Sequence, residues 1–232
     1  MSRQSPNIAP PDAIRVRYRV RFSKTDLLRW ISHRDLSTLI ERVARRVDLP
    51  LSMTEGFHQK PRLSFPSALP LGVESLDEVF EIELCEDLPS SEVLQRLQDD
   101  RQPGLTIHNV VQLAPREAKA RLSATEYQVN VPDDWDESER VIVESSIESL
   151  RANPTVQVQR KDRAVTIHSG HHVPELVLHG DHLYLRMVIE EGASLKVTDL
   201  LDHLGLSDWL SRGSTIIRTR VELVPTHSSR RT

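Results

Sequence analysis

The chain has 232 residues, enough for one large domain or two small ones, and its 30 Lys and Arg against 34 Asp and Glu exclude a globally basic nucleic-acid binder. A single cysteine, Cys85, excludes an intramolecular disulfide and leaves any cysteine-ligated zinc or iron–sulfur site short of ligands. No apolar run reaches the ~20 residues of a membrane-spanning helix and no apolar signal segment opens the chain, so a cytoplasmic protein without membrane contact is expected.

Charge is nevertheless segregated along the chain. Residues 13–62 carry an excess of about +7, and residues 74–104 an excess of about −8. Residues 1–12 and 226–232, rich in Pro, Ser, Asn and Arg, cannot build a core and read as disordered tails.

In chain order, Ile14, Val16, Tyr18, Val20 and Phe22 alternate with Arg15, Arg17, Arg19 and Arg21, the period of a half-buried strand. Ser32 caps a helix with Asp35 three residues on, and Leu36, Leu39, Ile40, Val43 and Val47 follow at helical spacing up to Pro50. Residues 62–69 read as a second strand, with Pro66 placing it at an edge or a bulge. Residues 78–85 alternate again, residues 90–100 form a helix opened by Ser90 with Glu92 in its first turn, and residues 105–113 form a fourth strand.

The order βαββαβ is that of a ferredoxin-like unit. It is then repeated, with strands at 123–131, 155–159, 164–168, 182–190 and 215–224 and helices at 136–150 and 196–204. The expected fold is α+β: two ferredoxin-like halves with antiparallel sheets, an N-terminal domain over 13–115 and a C-terminal one over 122–225. REAKAR, 116–121, is the linker or an inter-domain helix.

The segments RVRYRVRFSKTDLLRWISHRDL, ERVARRVDLPLSMTEGFHQKPRLSFPSALPLGVES and DEVFEIEL resemble the radical-SAM-linked family of bacterial proteins, whose defining domain is a domain of unknown function. The pattern is F-x-K, SH-x-DL, ER-x-x-RR and GF-x-x-x-P-x-x-x-F-x-x-x-LP-x-G-x-x-S. It covers residues 14–84 closely and the rest loosely, through TIIRTRVEL. The resemblance implies a partner, a radical S-adenosylmethionine protein with a cobalamin-binding-type domain. It implies no catalytic residues. With no CxxxCxxC, this chain would be the separate accessory component and would hold no cofactor of its own.

Four sites carry candidate chemistry. The arginine stripe invites phosphate, but Glu81 and Glu83 of a neighbouring strand share its face. Cross-strand ion pairs worth about 0.2–1 kcal/mol each would cancel its field. The stretch after the first helix offers Arg42, Arg45, Arg46, Gly56, His58, Lys60 and Arg62 for an anion or RNA, because no acid lies between Gly56 and Leu71. His33 and His58 are the catalytic candidates, His33 at a helix start that favours its neutral ring. His168, His171 and His172 are the metal candidates, against the plainer reading of surface turn histidines. Trp30, Trp135 and Trp209 stand near element ends, where packing is expected.

The function these features favour is a non-catalytic accessory protein that binds RNA (tRNA or rRNA) or another anionic substrate through the basic loop. The alternatives are a metal-independent RNA-processing enzyme using His33 or His58, and a pure protein-interaction scaffold.

Overall fold

A computed structural model describes residues 14–160, 163–190 and 195–225. They form a mixed α+β fold in which nearly all strand pairs are antiparallel. Two compact units divide them: residues 14–70 and 78–120 in one, residues 71–77 and 121–225 in the other.

The first unit contains β1 (Val16–Lys24), α1 (His33–Arg46), β2 (Leu63–Ser64), β3 (Glu74–Leu84, from Glu78 onward), α2 (Ser90–Asp99) and β4 (Leu105–Gln112). Its strands lie in the order β4-β1-β3-β2. The alternation of β1 puts Tyr18, Val20 and Phe22 into a core with Phe80, Ile82 and Leu84 of β3. Leu36, Ile40, Val43 and Ala44 of α1 and Val93 and Leu97 of α2 cover that face, at the 3.6-residue spacing that gives each helix one apolar stripe. Ser32 caps α1: its Oγ accepts from the Asp35 N–H at 3.2 Å and donates to the Asp35 carboxylate at 2.7 Å.

Three expectations need correction here. β1 is displaced two residues downstream, so Lys24 lies inside the strand on the phase of Phe22. The strand expected over 62–69 shrinks to two residues, because prolines 61, 66 and 70 supply no backbone N–H to a ladder. Pro89, not Ser90, is the cap position of α2, and the Ser90 hydroxyl accepts from the Gln112 N–H instead.

The second unit contains β5 (Leu122–Asn130), α3 (Glu137–Ala152), β6 (Thr155–Arg160), β7 (Arg163–His168), α4 (Ser169–His172), β8 (Glu175–His179), β9 (His182–Val188), α5 (Val197–His203) and β10 (Ile216–Leu223). The strand order is β10-β5-β9-β8, and the start of β3 runs parallel to β10 with Glu74 opposite Ile217. Asp136 caps α3, accepting from the N–H groups of Ser138 and Glu139. Val143, Ile147 and Leu150 of α3 are buried, as are Leu183, Leu185 and Met187 of β9 and Leu200 and Leu201 of α5.

The strands expected at 155–159 and 164–168 pair with each other as a separate hairpin, not within the main sheet. The strand that takes that place is β8, which the sequence reading passed over as a histidine-rich turn. REAKAR, 116–121, forms no helix. It runs irregularly into β5, with Arg116 at φ 67.

Candidate anion-binding site

The loop that carries the glycine, histidine and lysine is a braced hairpin. Ser52 accepts from the Arg62 N–H at 2.9 Å, the Thr54 N–H donates to the Lys60 carbonyl at 2.8 Å, and the Lys60 N–H donates to the Thr54 hydroxyl at 3.0 Å. At the tip Gly56 takes φ 112, a conformation L side chains rarely adopt. Phe57 is fully exposed there, edge-on to the ring of His58, and His58 and Lys60 are exposed beside it.

The cations assigned to this site differ in their surroundings. Arg45 is paired with Glu41 at 3.0 Å one turn back along α1, and Arg46 makes a two-pronged pair with Asp100 at 2.6 and 2.9 Å. Arg42 is exposed on α1. Arg62 does have counter-charges, which the acid-free stretch of sequence did not indicate. Its guanidinium lies 3.8 Å from both Glu55 and Glu83 and donates to the Met53 carbonyl at 3.1 Å.

The arginine stripe is ion-paired. Glu81, only 2% exposed, meets Arg19 at 2.9 Å and Arg17 at 3.7 Å, and also accepts from the Ala120 N–H at 3.0 Å. Arg19 reaches Glu117 at 3.3 Å, and Arg17 donates to the Glu117 carbonyl. Glu83, expected on this stripe, faces Arg62. The segment leading out of β4 therefore covers part of the face that looked open in sequence.

What the structure adds is a groove of about 490 Å³ lined by Arg15, Arg17, Arg62 and Arg116 and by the carboxylates Glu83, Asp87 and Glu117. It joins the loop arginine to the strand arginines. Sequence spacing could not have shown this, since Arg15 and Arg62 are brought together only by the sheet.

A second polar cluster surrounds His33. Lys24 is 1% exposed and donates to the Ile31 carbonyl at 3.3 Å. Burial pushes its pKa down, and the charge of the buried Glu78 pushes back. His33 packs edge-on against Phe65 at 4.9 Å between ring centres. Burial lowers its pKa, and Lys24 lowers it further. Ser32 is bonded to Asp35 and not to His33, so these three residues form no relay. Lys24 was legible in principle, because it continues the apolar phase of Tyr18, Val20 and Phe22.

In the second unit His171 lies 2.7 Å from Glu190, and His172, buried, lies 3.5 Å from the same carboxylate. The rings of His168 and His172 stack at 5.8 Å. Among the described residues no group of three or more His, Cys, Asp or Glu is arranged to hold a metal ion. Trp135 and Trp209 pack edge to face at 6.1 Å, whereas Trp30 is exposed beneath the Arg29 guanidinium. No helix among the described residues is long and apolar enough to cross a membrane.

The profile of a family described as "Uncharacterized protein conserved in bacteria (DUF2344)" matches residues 17–197. The chain belongs to that family. The family's description assigns neither an activity nor a partner. No curated protein matches the chain. Among solved structures it is similar to a chain of a Cbf5-Nop10-Gar1 complex, at 13% identity and TM-score 0.42, covering 88% of this chain and 48% of that one. It is also similar to a chain of an H/ACA RNP bound to a substrate RNA containing 2'-deoxyuridine, at 14% identity and TM-score 0.39, covering 88% and 47%. The family member thus spans about half the length of those two chains. An unknown protein from Galdieria sulphuraria is similar at 10% identity and TM-score 0.25, covering 91% and 100%. Likeness at these TM-scores carries no argument about function.

Proposed function

We propose that this family member is a non-catalytic accessory module that binds RNA through the loop from Glu55 to Arg62 and presents it to a radical S-adenosylmethionine enzyme. The observation that carries the RNA half is the fully exposed Phe57 between Gly56 and His58, three residues from the exposed Lys60, on a hairpin braced at its base. An exposed aromatic ring near a cation is what a single-stranded nucleic acid uses. The base stacks on the ring for about 1–3 kcal/mol, and the phosphate takes the cation. The enzyme partner rests on the family resemblance of residues 14–84 alone.

The strand orders β4-β1-β3-β2 and β10-β5-β9-β8 support a further reading of the fold. Each unit is a ferredoxin-like βαββαβ plan, the second interrupted by the β6–β7 hairpin and α4.

Fluorescence anisotropy with a labelled single-stranded RNA and a tRNA at two salt concentrations tests the RNA half. Phe57→Ala should weaken binding by about 5- to 100-fold, and Lys60→Ala should reduce the salt slope by about 1. Equal, negligible binding by wild type and both variants would sink it. Shortened RNA after incubation with wild type, lost in His58→Ala, would favour the RNA-processing alternative. Co-purification with the radical enzyme that survives nuclease, without RNA affinity, would favour the scaffold.

A further inference from the structure

The arginine groove of the first unit contains an arrangement that points to its ligand. Glu55 stands next to Gly56 near the loop tip, bordering the groove, and its side chain is 87% exposed, yet one of its carboxylate oxygens lies 3.3 Å from Arg15 and 3.8 Å from Arg62. An anionic oxygen already occupies the space between two groove arginines. It is held by pairs of the exposed kind, which contribute little and are readily exchanged. Arg15 itself is 44% exposed, free to follow a new partner.

Arg116 adds a third cation. It lies on the wall of the groove, exposed, and its side chain has no carboxylate partner among the described residues. Its backbone takes φ 67, a left-handed conformation that is uncommon for a residue with a side chain and tends to mark functional positions. Arg17 is anchored by Glu81 and by the Glu117 carbonyl, so it contributes a fixed charge rather than a mobile one.

The wall is not uniformly basic. Glu83 and Asp87 line it as well, as does Glu117, which is paired with Arg19. A bare phosphate would be repelled by them, whereas a ligand with a phosphate at one end and hydroxyl or amino donors at the other would satisfy both. About 490 Å³ falls within the range of small-molecule sites. We propose that the groove binds one phosphorylated ribonucleotide unit, its phosphate displacing the Glu55 carboxylate from between Arg15 and Arg62 while its hydroxyl or amino groups donate to Glu83 and Asp87. The unit is either a free nucleotide or one residue of an RNA strand. In the second form the inference rests on the RNA-binding reading above.

The test uses adenosine 5′-monophosphate by isothermal titration and a labelled single-stranded 12-mer RNA by anisotropy, on the full chain. Wild type should bind the monophosphate saturably. Glu55→Gln, which removes the competing anion, should bind it up to about fivefold more tightly. Arg15→Ala and Arg116→Ala should each bind it at least fivefold more weakly, with melting temperatures close to wild type. The opposite signs keep the test independent of folding defects. Monophosphate binding that is absent in both wild type and Glu55→Gln, or identical across all four proteins, would overturn the groove. If the RNA still binds in a Lys60-dependent way in that case, the RNA reading stands without it. If the monophosphate binds and the RNA does not, the groove stands and the RNA reading falls.

Discussion

At the scale of single residues, the sharpest feature outside the groove is the pair of Lys24 and His33. Both bases are held below their usual pKa by burial. The folded chain therefore binds fewer protons than the unfolded chain as pH falls through the normal imidazole range. The stability contributed by neutral His33 is present above pH 6.5 and is lost as pH falls through the folded-state value. NMR titration of the histidine rings should place His33 below 6.5. Lys24→Met should raise it part of the way back, since Lys24 is the second cause and burial the first. A His33 pKa unmoved by Lys24→Met would mean that the two groups do not interact. The helix start led sequence reading to expect a neutral ring, but the causes at work are burial and Lys24. The Lys24 contribution was not legible, because nine residues of sequence separate a strand end from a helix start that only the fold brings together.

At the scale of elements, one turn controls how α2 reaches β4 in the first unit. Gly104 takes φ +74, and a methyl group added there would lie 2.6 Å from the Thr25 carbonyl oxygen and 3.0 Å from the Leu28 side chain. The Thr25 N–H donates to the Gly104 carbonyl at 2.9 Å, so neither side can withdraw without breaking that bond. Gly104→Ala should destabilise the chain by more than about 1 kcal/mol in chemical denaturation, because strain adds to the clash. A variant as stable as wild type would show that the turn relaxes. Ser32→Ala, which removes a cap on an exposed helix start, should cost about 1 kcal/mol and serves as a scale for the comparison.

Legibility also divides by element. Apolar residues alternate over Tyr18–Phe22 of β1 and Phe80–Leu84 of β3, as the pleat imposes on residues that share the core face, and sequence reading found both strands as well as β5. β2 was overread, because apolar residues between prolines look like a strand but lack the donors to pair. β8 was missed, because Glu175–His179 is short and set among histidines that suggest a turn. Its claim to be a strand is its pairing with β9 across Gly180, a tertiary fact.

At the scale of the molecule, the near-neutral net charge conceals a local arrangement of cations that pairwise bookkeeping divides into two sets. Arg19, Arg45 and Arg46 are committed to carboxylates at 3.0 Å or less, so their loss should affect stability more than binding. Lys60 and Arg116 have no such partner among the described residues, and Arg15 has only the exchangeable Glu55. This division explains how much of the candidate site could be read from sequence. Gly56, His58, Lys60 and Arg62 were identified from composition and from the lack of nearby acids. Arg15, Arg116 and the bridging position of Glu55 were not, because Arg15 is 40 residues from Glu55 in the chain, Arg116 is farther still, and only the fold brings both arginines to one groove.

Whether RNA engages the loop from Glu55 to Arg62 can be read by ultraviolet cross-linking of a single-stranded RNA to the full chain, followed by mass spectrometry of the peptides. Cross-links should concentrate on Phe57, His58 and neighbouring loop residues and fall sharply in Phe57→Ala. Cross-links confined to other segments, or unchanged in Phe57→Ala, would contradict RNA binding by this loop.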